Sequence, residues 1–176
     1  MRLLKTIALT GLSAVMLLVL VMIVLGRRPG AGRNEAQVEI SRPAAEVFPW
    51  LTEPAKLTQW IAGLKESTPL TGDGLRIGAR SREVIVEGGQ RYEMESEIIG
   101  LEPNRLLAVK IVSPGFDVDS RYDLAEQAGK TRLSYVGVAR YKMWLARLME
   151  PVVTPAAQKQ LTQNLATLKR LVEGRP

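Results

Sequence analysis

The sequence predicts an α+β fold in which a curved, seven-stranded antiparallel sheet wraps around a long C-terminal helix, preceded by one transmembrane helix. Three observations lead to this prediction. A long apolar run stands near the amino terminus, at Ile7–Leu25. Six stretches between Lys65 and Tyr141 alternate apolar and polar residues, as half-buried strands do. The final stretch, Pro155–Glu173, repeats apolar residues at helical spacing.

The apolar run Ile7–Leu25 contains no charged residue. Because about 20 apolar helical residues cross the hydrocarbon core of a bilayer, we expect residues 1–25 to form a single-pass membrane anchor. Arg27 and Arg28 would then lie among the lipid headgroups. A cleaved signal peptide is the alternative, since the amino terminus is short and positive. Basic residues balance on the two flanks, so the side of the membrane stays undetermined.

The rest of the chain divides into a short linker at residues 26–35 and one domain at residues 36–174. The net charge of +6 is made up of +5 in residues 1–33, −4 in residues 34–139 and +5 in residues 140–176. Nucleic acid needs a continuous basic face, so the acidic middle argues against such a partner. The chain has no Cys and no His, which excludes disulfides, Cys/His zinc sites and Ser-His-Asp triads.

The domain opens with a strand and two helices. Gln37–Ser41 alternates and predicts the first strand. Pro43 suits the first turn of a helix, because its missing N–H would be unpaired there in any case. That helix is predicted at Ala44–Leu51, where Pro49 shortens or kinks it. Pro54 opens the second helix.

Six further strands follow, and short connections carrying Gly or Pro make their neighbours antiparallel. The apolar face of such a sheet needs a cover, which the C-terminal segment supplies. A short helix is predicted at Tyr141–Glu150, with breaks at Pro151 and Pro155. Thr154 then caps a longer helix, Pro155–Glu173. The six strands are predicted at Lys65–Thr71, Ala79–Glu87, Gln90–Leu101, Arg105–Ser113, Phe116–Glu126 and Lys130–Tyr141.

Several stretches resemble the SRPBCC superfamily of helix-grip proteins. VEISRPAAEVFPWLTEPAKLTQWI resembles its opening, LRIGAR its entry into the third strand, and GLEPNRLL its Glu-Pro-x-Arg turn. The similarity is strongest to the polyketide cyclase/dehydrase-like branch, and extends to START proteins and to the helix-grip component of carbon monoxide dehydrogenase. The resemblance implies a deep cavity between the sheet and the C-terminal helix for a small hydrophobic ligand. We expect no cofactor. The resemblance does not decide among enzyme, carrier and ligand sensor, because the superfamily includes all three.

Residues on the inward parity of the strands are the candidate ligand site, because an apolar wall with a few hydroxyl groups suits a lipid-like molecule. The alternative is that these side chains only pack the core. The strand candidates are Tyr92, Met94, Ser96, Val109, Ile111, Val118, Ser120, Tyr122 and Tyr135. Candidates from the helical side are Trp60, Leu148, Leu161 and Leu165.

Catalysis would have to use Tyr, Asp, Glu, Lys or Arg. The strand carboxylates considered fall on the solvent-facing parity, where pKa values stay ordinary and acid–base catalysis is disfavoured. Their spacing matches no calcium motif, so we expect no catalytic residue and no metal site. They are Glu93, Glu95, Glu97, Asp117, Asp119 and Asp123.

The segment Arg140–Leu148 combines basic and apolar residues. Trp144 and Arg147 are the candidates for contact with a membrane interface, where basic helices with an aromatic anchor lie. The alternative is that Trp144 and Leu148 close the end of the core.

The sequence therefore predicts a membrane-tethered, non-catalytic domain that binds a hydrophobic ligand, with lipid as the expected class. A polyketide cyclase/dehydrase-like enzyme and a module that recruits a protein partner to the membrane are the alternatives. A cavity lined by buried tyrosines of displaced pKa would favour the enzyme. A filled core with a large exposed apolar patch would favour the protein partner.

Overall fold

The structure is a computed structural model that describes residues 16–21, 32–72, 74–142 and 144–174, with backbone only at residues 144–148. Its elements after the first described segment are seven strands and four helices. The strands are β1 (Arg33–Ile40), β2 (Leu64–Pro69), β3 (Arg80–Glu87), β4 (Gln90–Glu102), β5 (Leu106–Val112), β6 (Phe116–Gln127) and β7 (Lys130–Tyr141). The helices are α1 (Ala44–Val47), α2 (Pro49–Thr52), α3 (Pro54–Trp60) and α4 (Trp144–Val172).

The predicted membrane anchor is not found among the residues that the structure describes. Most of Ile7–Leu25, with both its ends and the flanking Arg27 and Arg28, lies outside the described residues, and only residues 16–21 are described as helix. Among the described residues no helix is both long and apolar enough to cross a membrane. This finding contradicts the predicted single-pass membrane location.

All seven strands form one antiparallel sheet in the order β1-β7-β6-β5-β4-β3-β2. Strands β2 to β7 follow one another as a meander, and β1 pairs with β7 in the register Ala36 to Tyr135. The observed bounds confirm the six predicted meander strands to within a few residues, because alternation and glycine turns mark both the strands and their ends. Strand β1 begins at Arg33, ahead of the predicted Gln37.

Proline residues set the short helices that follow β1. The predicted helix Ala44–Leu51 is divided at Phe48 into α1 and α2, because Pro49 cannot continue the hydrogen-bonding of the first. Pro54 begins α3 as predicted, and the backbone N–H groups of Lys56 and Leu57 donate to the Glu53 carbonyl. The indole of Trp60, at the end of α3, donates a 2.8 Å hydrogen bond to the Trp50 carbonyl.

The C-terminal helix is one continuous helix from Trp144 to Val172 that contains both Pro151 and Pro155. The predicted break at these prolines is wrong, although each removes one helical hydrogen bond. Contacts with β1 hold this part of the helix to the sheet. Asn34 donates to the Thr154 carbonyl at 3.0 Å, and Gln158 donates to the Glu35 carbonyl at 2.8 Å.

The core lies where α4 and the short helices meet the β1–β7–β6 side of the sheet. Ile40, Val47, Leu133 and Leu168 are fully buried there. The far end of α4 is fixed to the end of β1, since Glu173 accepts a 2.7 Å hydrogen bond from the Ser41 backbone N–H. Because α4 follows β1 rather than the middle of the sheet, it leaves space over β3, β4 and β5.

Candidate ligand-binding cavity

A cavity of about 330 Å³ occupies the space over the middle of the sheet, between strands β2–β6 and the helical segment that ends near Ile61. This volume falls within the ~300–1,000 Å³ typical of ligand pockets. The lining is mostly aliphatic: Leu51, Pro54, Leu57, Ile61, Leu64, Pro69, Leu75, Ala79, Ile98, Leu107, Val109 and Ile111. Polar and aromatic members are Thr52, Ser67, Arg80, Ser81, Glu83, Ser96, Ser120 and Tyr122, and Gly72 and Gly74 complete the lining.

The strand period of two explains which residues reach this cavity. Leu107, Val109 and Ile111 are every second residue of β5, and all three line the cavity. Their register partners across β6 include Ser120, opposite Val109, and Tyr122, opposite Leu107. One face of adjacent strands is thus turned into a single wall.

A glycine-containing loop between β2 and β3 forms the rim. Gly74 has a φ of 135°, a conformation that residues with a side chain rarely adopt. Arg76 donates to the Thr71 carbonyl at 2.8 Å, and the Thr71 hydroxyl accepts from the Arg80 backbone N–H at 2.9 Å. These bonds hold the loop beside the cavity, where Leu75 contributes to the lining.

Glu83 on β3 places a carboxyl group in the cavity wall. Its Oε1 accepts hydrogen bonds of 3.0 Å from Ser67 Oγ on β2 and of 3.0 Å from Ser96 Oγ on β4. Its Oε2 is shielded from solvent and has no hydrogen-bond partner among the described residues. Burial raises the pKa of Glu83, and the two serine hydrogen bonds lower it to a smaller extent.

A second polar group lies at the β6–β7 side. The hydroxyl groups of Ser120 and Tyr135 are 3.0 Å apart, and the rings of Tyr122 and Tyr135 meet edge to face at 4.9 Å between centroids. Burial raises the pKa of Tyr122 well above its ordinary value and also raises the pKa of Tyr135. Both phenols are therefore weaker acids than free tyrosine and suit hydrogen bonding better than proton transfer.

Gly137 makes room for this tyrosine arrangement. A Cβ atom at position 137 would lie 2.9 Å from the Cε1 and Cζ atoms of Tyr135, and closer still to its hydroxyl oxygen. A glycine in the interior of a strand often marks such a close approach.

The structure brings five of the predicted site residues together in the cavity wall: Ser96, Val109, Ile111, Ser120 and Tyr122. Tyr135 lies behind them, joined to Ser120. Met94 and Val118 are half-buried and outside the lining. Tyr92 is 48% exposed and donates to Gln90, because the end of β4 that carries it extends past the cavity.

Of the predicted residues from the helical side, Trp60, Leu161 and Leu165 do not line the cavity. Trp60 and Leu165 are buried in the core, and Leu161 packs against it, because α4 lies along β1. The side chains of Leu148, Trp144 and Arg147 lie outside the described residues. Helix α3 and its flanks, rather than the described side chains of α4, provide the helical wall.

Glu83, Ser67 and the α3 wall were not predicted. Apolar residues occupy both parities of β3, since Val84 and Ile85 are neighbours, so the pattern does not reveal which face Glu83 occupies. Five of the strand carboxylates that were predicted to face solvent form ion pairs with basic side chains of the described residues: Glu95 with Arg80, Asp119 with Arg140, Asp117 with Lys142, Asp123 with Arg121 and Glu93 with Arg91. In the part of the chain that the structure describes, no group of three acidic side chains could hold a metal ion.

Solved structures share this fold at low sequence identity. Zhui aromatase/cyclase from Streptomyces sp. R1128 matches with a TM-score of 0.67 and 14% identity, covering 80% of this chain and 93% of that one. Protein NE0264 from Nitrosomonas europaea matches with a TM-score of 0.67 and 13% identity, covering 84% of this chain and 97% of that protein. Protein CV1439 from Chromobacterium violaceum matches with a TM-score of 0.64 and 18% identity, covering 81% of this chain and 97% of that protein. At these identities the likeness shows the fold alone.

No curated protein matches the sequence. The family model for polyketide cyclase / dehydrase and lipid transport matches residues 32–173, which include all seven strands and the whole C-terminal helix. The predicted helix-grip superfamily is thereby confirmed, and the chain belongs to the polyketide cyclase / dehydrase and lipid transport family.

Proposed function

We propose that this protein binds a small hydrophobic ligand, with lipid as the expected class, and does not transform it. The observation that carries the proposal is the cavity of about 330 Å³, whose wall is mostly aliphatic. The description of the family as including lipid transport supports the same class of ligand.

The energetics of an apolar cavity favour such a ligand. Removing apolar surface from water stabilises a complex by roughly 25 cal/mol per Å². The described lining has six hydroxyl-bearing side chains that can orient one polar end of a bound molecule: Thr52, Ser67, Ser81, Ser96, Ser120 and Tyr122. We propose residues 36–174 as the unit that binds.

Native mass spectrometry of the full chain, purified without detergent, tests this proposal. We expect a population of protein whose added mass is released by organic extraction and identified as an apolar molecule. Preparations that carry no adduct and bind no added apolar probe would contradict the proposal.

An enzyme of the polyketide cyclase/dehydrase type is the second candidate. The buried Tyr122 in the cavity wall and Tyr135 behind it have displaced pKa values, as expected of an enzyme, although both values are raised and each phenol is therefore a weaker acid. The stronger observation concerns Glu83. Glu83 is an ionisable group in an apolar wall, and its raised pKa brings it closer to the range useful for acid–base chemistry. The neighbour from Streptomyces, named an aromatase/cyclase, has the same fold. Incubation of the full chain with poly-β-keto substrates distinguishes the candidates: product formation that Glu83→Gln abolishes would favour the enzyme.

A further inference from the structure

The most unusual feature of the cavity wall is a carboxyl group held by serines from the two neighbouring strands. Ser67, Glu83 and Ser96 lie on β2, β3 and β4, and both serine hydroxyls donate to the same oxygen, Oε1. We call these three residues the carboxyl cluster. The cluster fixes the carboxyl group in place and leaves Oε2 without a hydrogen-bond partner among the described residues.

The carboxyl cluster destabilises the protein when no ligand is bound. A buried carboxyl oxygen without a partner loses its hydration and gains nothing in return. The other charged member of the described lining, Arg80, forms its ion pair with Glu95 at 3.5 Å. No ion pair to Glu83 is found among the described residues, so no cation offsets this cost. A ligand group that hydrogen-bonds to the carboxyl would offset it.

We propose that the carboxyl cluster selects the ligand's polar group: it binds the hydroxyl of an apolar alcohol or phenol and rejects a carboxylate. A hydroxyl group fits either protonation state of Glu83, since it donates to a carboxylate and accepts from a carboxylic acid. A ligand carboxylate would either bring a second negative charge beside an ionised Glu83 or bury its own charge in an apolar wall beside a protonated one. This selectivity rests on the proposed binding function.

Three probes that share one ring system separate the contributions of the apolar wall, of a ligand hydroxyl group and of a ligand carboxylate to binding. They are naphthalene, 2-naphthol and 2-naphthoate. Their dissociation constants for the full chain are measured at neutral pH by the change in probe fluorescence. We expect 2-naphthol to bind at least about tenfold more tightly than 2-naphthoate, because a hydrogen bond to a charged or strongly polar group is worth that much. Naphthalene reports the contribution of the apolar wall alone.

Glu83→Gln removes the charge and keeps an oxygen that can accept from both serines. We expect this variant to bind 2-naphthoate at least about tenfold more tightly than the wild type does, with naphthalene unchanged. Glu87→Gln is the matched control, because Glu87 is an exposed carboxylate on the same strand. It should leave all three constants unchanged. Glu83→Leu provides a second variant that buries no polar group, and it should reduce the preference for 2-naphthol over naphthalene.

The outcomes separate the selectivity from the binding function. Equal binding of 2-naphthol and 2-naphthoate, unaltered in Glu83→Gln, would overturn the selectivity and leave the cavity as a ligand site. Tighter binding of 2-naphthoate than of 2-naphthol would also overturn it and point to Arg80. Failure of all three probes to bind would overturn the binding function and the selectivity together.

Discussion

The Oγ atom of Ser96 donates a 3.0 Å hydrogen bond to Oε1 of Glu83, across the pairing of β3 with β4. The two residues are not direct register partners, since Ser96 lies opposite Ser81 and Glu83 lies opposite Met94. The bond is therefore a diagonal contact on one face of the sheet, within reach of a long side chain such as glutamate. It holds an ionisable group in the wall of an otherwise apolar cavity.

The raised pKa of Glu83 predicts a pH-dependent stability. The folded protein keeps the Glu83 proton at pH values where the unfolded chain, with a pKa near 4.5, has lost it. The stabilisation is fully present below this unfolded pKa and is lost as the pH rises through the raised folded pKa. The wild type should therefore lose unfolding free energy relative to Glu83→Gln over this range.

Chemical denaturation of both proteins at a series of pH values measures this difference. Glu87→Gln is the control and should follow the wild type, because its carboxyl group is exposed. A difference between the wild type and Glu83→Gln that stays constant across the range would show that Glu83 titrates normally.

Gly137→Ala should destabilise the protein. The added methyl group would stand against the ring and hydroxyl of Tyr135, whose hydroxyl is bonded to Ser120. Overpacking of this kind costs about 1–3 kcal/mol of unfolding free energy. Gly115→Ala is the matched control, since nothing lies within 4 Å of a Cβ atom there. Equal stability of the two variants in urea denaturation would show that Tyr135 moves aside without cost.

Thr131→Val should also destabilise the protein, through a lost hydrogen bond. Thr131 is fully buried on β7, and its hydroxyl donates a 2.7 Å hydrogen bond to the Arg42 carbonyl. Valine keeps the shape but leaves that carbonyl without this donor, at a cost of about 1–3 kcal/mol. Thr68→Val, at an exposed position of β2, should change the stability by less than about 0.5 kcal/mol. A Thr131→Val protein as stable as this control would show that the hydrogen bond from Thr131 to the Arg42 carbonyl does not stabilise the fold.

The sequence predicts the sheet better than the helix that covers it. Strand β6 is predicted at Phe116–Glu126 and observed at Phe116–Gln127, because alternation and turn residues are local signals. Helix α4 continues through Pro151 and Pro155, and hydrogen bonds that join Asn34 to Thr154 and Gln158 to Glu35 hold this part of the helix to β1. Those contacts join residues far apart in the chain, and no local pattern contains them.

The site residues likewise divide into those that local sequence patterns predict and those that they do not. Val109, Ile111, Ser120 and Tyr122 follow from strand parity and do line the cavity. Glu83 does not follow, because β3 carries apolar residues on both faces and its serine partners come from two other strands. The apolar run at Ile7–Leu25 predicted a membrane span from hydropathy alone, and the described structure contains no helix that could serve as one.

Filling the cavity tests the central claim, that this space binds an apolar molecule. Val109 lines the wall, and Val109→Phe would extend into the empty volume, whereas Val112→Phe adds the same atoms at a position 39% exposed and outside the lining. The measurement is the dissociation constant of 2-naphthol for the wild type and for both variants. We expect Val109→Phe to weaken binding at least about tenfold while Val112→Phe binds like the wild type. Unchanged binding by a folded Val109→Phe protein would contradict the assignment of this cavity as the ligand site.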